Sequence, residues 1–170
     1  MFSLVIGKIF NFVAIQLSYS FIGSLIYTYI FRGSIENLNV QITEAGGSVE
    51  LVNSLFMKPE FQQYVISSIL GVIVAFIIIV VIPFLIKGKG LGEMLVGVEE
   101  PNYKSKTIMI IKQPAVYGSL FLMMSTGFAL FPGNTNAQKL MLYGSYAVAG
   151  IGIGFLIKLA MEYKKTIKNK

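Results

Sequence analysis

The sequence predicts an all-α protein, a polytopic transmembrane four-helix bundle with a short cytoplasmic interfacial helix or hairpin between its second and third spans. Three observations predict it. Four apolar runs, at about 9–31, 64–86, 114–131 and 140–158, hold no charged residue before Lys158. Each run is 18 to 23 residues long, and a hydrocarbon core about 30 Å thick needs about 20 residues of helix. Lysine gathers on one set of connections, as on the cytoplasmic side of a membrane protein. The four spans leave too little of the 170 residues for a separate soluble domain, so 1–170 reads as a single membrane domain.

The charge distribution sets the orientation. Lys8, the loop 87–113 and the chain from Lys158 through the basic tail 159–170 carry eleven lysines against four glutamates. The loop 32–63 and the short connection after the third run carry Arg32, Lys58 and Lys139 against four glutamates. A net +7 on one side and −1 on the other places both termini in the cytoplasm and the loop 32–63 outside. The expected location is a cell membrane, in bacterial terms the inner membrane. The first run reads as a permanent span because it continues for 23 residues to Arg32 without a small-residue cleavage pattern.

Each element has its own justification. In the first span Gln16, Ser20, Ser24 and Thr28 recur every four residues and share one helix face. That polar stripe is expected to turn inward, away from lipid, as helix–helix glue or as the lining of a polar path. In the outer loop Val40 to Thr43 alternates weakly, Gly46-Gly47 is a break, and Ser48 can cap a short amphipathic helix ending at Phe56. Pro59 and Glu60 suit the first turn of the next helix. The second span carries Ser67, Gly71 and Ala75, a small-residue ridge for close helix packing, and Pro83 should bend it. The third span starts near Pro114 and ends at Phe131-Pro132-Gly133. The fourth holds Gly150 and Gly154, a GxxxG pair expected to pack tightly within the chain or between copies. Aromatic residues such as Tyr29, Tyr64, Tyr117 and Tyr143 partly fit interfacial belts.

The loop between the second and third spans is the most informative segment. Leu91, Met94, Leu95 and Val98 fall on one side of a short interfacial helix, with Lys89 and Glu93 four apart on the expected water side. Val96 to Glu99 and Lys106 to Ile110 flank Pro101-Asn102 and read as a small hairpin. Gly88, Leu91, Gly92, Met94, Leu95, Gly97, Val98 and Lys112 form a pattern that resembles the cytoplasmic loop of the RDD family of small bacterial membrane proteins. Glu93 stands where that loop has a basic residue. The family is named for an arginine and two aspartates, and this chain contains no aspartate. The resemblance therefore implies architecture, while the ion or metabolite transport proposed for the family lacks its residues here.

Composition narrows the chemistry. With no histidine, cysteine or aspartate there is no imidazole base, no thiolate nucleophile and no ordinary zinc ligand set. No catalytic, cofactor-binding or metal site is expected, and the chain reads as a non-enzyme. Glu93, Glu99 and Glu100 read as solvated. The basic tail reads as a topology signal, and nucleic acid is not an expected partner. The expected partners are the anionic inner leaflet and another membrane protein or a second copy. The leading functional expectation is a protein that works by contact, an accessory, assembly or immunity-type subunit. The alternative is a small transporter or channel component, for which broken helices could supply backbone ligands.

Overall fold

The computed structural model describes residues 2–45, 49–97, 110–111 and 113–168. All regular structure among these residues is helical. The long helices are α1 (Phe2–Tyr29), α4 (Pro59–Phe76) and α8 (Thr135–Lys168). Two short helices, α2 (Ile35–Glu44) and α3 (Val49–Phe56), follow α1, and α4 continues through a π-helical turn (Ile77–Val81) into α5 (Ile82–Lys87). The short α6 (Leu91–Leu95) precedes α7 (Pro114–Gly127), which ends in a 3₁₀ turn at Phe128–Leu130. Three segments are long and apolar enough to cross a membrane: Val5–Tyr29, Pro59–Lys87 and Thr135–Lys158. The apolar helix Pro114–Leu130 is shorter, about 25 Å at 1.5 Å per residue.

Local chemistry explains the boundaries. Ser34 accepts from the amide of Asn37 and caps α2, with Glu36 in the first turn where the helix dipole favours an acid. Val40 to Thr43 therefore lie in a helix, and the weak alternation seen in the sequence is not a strand. Pro59 opens α4 and Pro114 opens α7, both at a position where the missing N–H costs no helical bond. Pro83 acts one turn upstream of itself. It cannot donate to the carbonyl of Ile79, and the backbone relaxes into the π turn, in which the Ile82 amide bonds the carbonyl of Ile77.

The main seam joins α1 to α4. A Cβ added at Gly71 would strike the Tyr19 carbonyl oxygen and lie 2.8 Å from the Gly23 amide nitrogen. One added at Gly23 would lie 3.0 Å from Ser68 Cα. Ser67, Gly71 and Ala75 are all buried in this seam, as their spacing implies. Beside it a core of Ile15, Val72, Ile79, Val80, Phe84 and Leu122 ties α1, α4, α5 and α7 together. A second cluster closes the Tyr29 end of the bundle, where α2 and α3 bring Leu38 and Leu55 over Tyr27 and Phe61. Tyr27 meets Tyr64 edge-on at 5.5 Å between ring centroids.

One expected packing surface turns outward, and a second loses its within-chain alternative while packing between copies stays open. Gln16, Ser20 and Thr28 are exposed and Ser24 is half-buried, so the stripe faces outward. The buried face of α1 is the adjacent one, running through Gly7, Asn11, Ile15, Gly23 and Tyr27. The reason is steric: glycine lets the α4 backbone approach that face more closely than glutamine or threonine could. On α8, a Cβ at Gly150 or Gly154 would meet nothing within 4 Å, so this pair packs against no described part of the chain. Gly144 and Gly152 are used instead, against the Met124 side chain and Tyr117 Cβ.

Candidate functional site

At the end of the bundle opposite Tyr29, α6 lies against the first turns of α1, and three polar side chains interlock. Lys8 Nζ is 3.2 Å from Glu93 Oε1. Asn11 Nδ2 donates to Glu93 Oε2 at 2.7 Å, and Asn11 Oδ1 accepts from the Gly92 amide at 2.6 Å. Both carboxylate oxygens are thereby bonded. Glu93 and Asn11 are 0% exposed and Lys8 is 6% exposed, so the pair is withdrawn from water and from ionic screening.

Lys8 and Asn11 reach one partner because residues three apart share a helix face. Glycine supplies the proximity. A Cβ at Gly7 would lie 2.9 Å from Glu93 Cα, and one at Gly92 would strike the Gly7 carbonyl oxygen. Gly88 at φ 70° and Gly97 at φ 69° bracket α6 in the left-handed region, which lets five residues turn in and out of the bundle end.

This arrangement corrects the expected orientation of α6. Glu93 is buried rather than on the water side, and Lys89 is half-buried. Leu91 and Leu95 are exposed, Leu95 at 72%. A five-residue helix has too little apolar surface for hydrophobicity to choose its face, and two charge-assisted hydrogen bonds outweigh it. Val98, Glu99, Glu100 and residues 106–109 of the expected hairpin lie outside the described residues, while its two described ends are not strands: Val96 closes α6 in helical conformation and Ile110 is helical. Gly88, Gly92 and Gly97, three of the motif positions, are accounted for by hinge geometry and close approach.

Reading the sequence alone missed Lys8 and Asn11. Lys8 is one of several basic residues flanking a span, and Asn11 stands one helical turn outside the four-residue stripe that begins at Gln16. Their shared face and the acid in the glycine-rich loop were the available signals. The candidate polar residues elsewhere make local bonds: Ser67 Oγ donates to the Gln63 carbonyl at 2.8 Å and Ser68 Oγ to that of Tyr64 at 3.0 Å. Gln16 makes no side-chain hydrogen bond among the described residues. No group of three metal-ligating side chains occurs among them either. No family model, no curated protein and no solved structure matches the chain.

Proposed function

We propose that this is a small polytopic membrane protein that acts by contact, an accessory, assembly or immunity-type subunit, and that the outward face of α1 receives a partner helix. The carrying observation is Gln16, an exposed amide in the middle of an apolar helix, with no side-chain partner among the described residues. An amide in hydrocarbon gains a hydrogen bond only from another polar group, and a neighbouring helix supplies one. Ser20 and Thr28 extend the same exposed face, and Leu17 and Phe21 beside it offer apolar surface. The reading includes four crossings, with Pro114–Leu130 as the shortest, and both termini in the cytoplasm. In this reading the loop is RDD-like, its glycines serving as hinges and docking points for α6.

The contact reading is favoured over transport because the polar stripe faces outward and the buried carboxylate and ammonium are bound to each other. The absence of cysteine makes the test direct. A Gln16→Cys or Ser20→Cys variant, cross-linked in intact membranes, is expected to give a discrete adduct, to a second copy or to one other membrane protein. Leu142→Cys on the exposed face of α8 serves as the comparison. Equal, diffuse reaction at all three positions removes the proposal, and solute flux in liposomes holding only this chain would favour the transporter.

A further inference from the structure

Two rows of side chains run next to each other along the outward face of α1. Gln16, Ser20, Ser24 and Thr28 form one row, and Leu17, Phe21 and Leu25 form the next, displaced by one residue. Residues four apart follow a line inclined about 26° to the helix axis. Leu17 is 75% exposed, Phe21 67% and Leu25 41%, so the second row stands out as a ridge. The first row sinks into a groove at Ser20 and Ser24, the shortest side chains on this face. Ser24 is half-buried, and Gln16, Ser20 and Thr28 are exposed. The face carries no charge from Ile9 to Phe31.

We infer that this face pairs with the same face of a second copy, the two α1 helices crossing in parallel at Ser20 and Ser24. The inference rests on the contact reading above and names its partner. Shape selects the copy first. A face that bears both a ridge and a groove is complementary to itself, and a twofold axis at the crossing seats each copy's Phe21 in the other's serine groove. Both helices then contribute their four-residue rows, the symmetrical packing class, at about 40° in the right-handed sense. Polarity selects it next. Gln, Ser and Thr each carry a donor and an acceptor, so like residues bond across the axis and no like charges meet there. Depth agrees as well. The four polar groups stand about 6 Å apart along the helix, and copies that face the same way present theirs at the same four depths. The axes diverge away from the crossing, and the long Gln16 side chain stands where that reach is needed. The exposed notch at Gly150 and Gly154 on α8 offers no side-chain donor or acceptor, so it cannot satisfy Gln16.

The chain has no cysteine, so a single introduced thiol reports on one position. Full-length Ser20→Cys, diluted in phosphatidylcholine vesicles and mildly oxidised, is expected to form a disulfide-linked pair of chains. Parallel helices that cross at this level bring the two Cβ atoms within disulfide range. Leu142→Cys on α8 is expected to stay unlinked. Energy transfer between donor- and acceptor-labelled pools of Asn39→Cys, measured as lipid is added, reads the equilibrium. Gln16→Leu in that background is expected to need about tenfold more protein per lipid for half-maximal transfer, because each copy loses one hydrogen bond. Ser20→Leu fills the groove and is expected to abolish transfer. Both positions are exposed, so neither substitution enters the packed core. Unchanged transfer in both variants overturns the inference, and so does equal disulfide formation at Ser20→Cys and Leu142→Cys. If the purified chain shows no transfer while Ser20→Cys cross-links to a different protein in native membranes, the inference falls and the contact reading stands. Discrete adducts in neither setting remove both.

Discussion

Glu93 carries more consequence than any other single side chain. Removing one member of a buried ion pair leaves the other charge without compensation, which typically costs about 3–5 kcal/mol. Glu93→Ala is expected to destabilise the protein by about that amount, measured by SDS titration of helicity in mild detergent. Adding Lys8→Met should recover most of the loss, because the unpaired ammonium is the larger part of it. Full additivity of the two substitutions would mean that the 3.2 Å contact contributes nothing. Glycine acts at the same scale. Gly92→Ala would force its methyl group against the Gly7 carbonyl oxygen, and α6 could then dock only by moving away from Asn11.

At the scale of elements, the two small-residue ridges noted in the sequence have opposite fates, and substitution separates them. Gly71→Ala inserts a methyl group between two backbones and is expected to cost about 1–3 kcal/mol in the same SDS titration. Gly150→Ala and Gly154→Ala point into open space and are expected to change stability by less than about 1 kcal/mol, with any shift toward higher stability from helix propensity. A large loss at Gly150 accompanied by a change of oligomeric state would assign that notch to a second copy. The π turn belongs to this scale as well. Pro83 forces it, and the core residues Ile79 and Val80 sit within it, so the distortion sets which side of the helix meets the core.

For the molecule as a whole, the expectation concerns which way it faces. On the lysine bias, the Lys8 end is expected inside and the α2–α3 cap outside. Asn39→Cys, at an exposed position on α2, is expected to react with a membrane-impermeant maleimide in intact cells. Ser3→Cys, exposed near the start of α1, is expected to react only after permeabilisation. The reverse pattern would invert the topology and place the Lys8–Glu93 pair at the outer side. The outward-facing apolar side chains along all three long apolar segments lead us to expect that the protein disperses only in detergent or lipid.

The sequence by itself determined the helical class, the long apolar segments, the starts at Pro59 and Pro114, and the tight ridge at Ser67, Gly71 and Ala75. Those properties follow from side-chain hydropathy, from proline's missing donor and from a four-residue period, all of which are local. Only the tertiary structure decided which face of α1 is buried, which glycines of α8 are used, and that Glu93 turns inward to Lys8 and Asn11. Residues 8 and 93 are separated by a whole helical pair, and a carboxylate's preference for water or for an ammonium depends on what the fold places beside it.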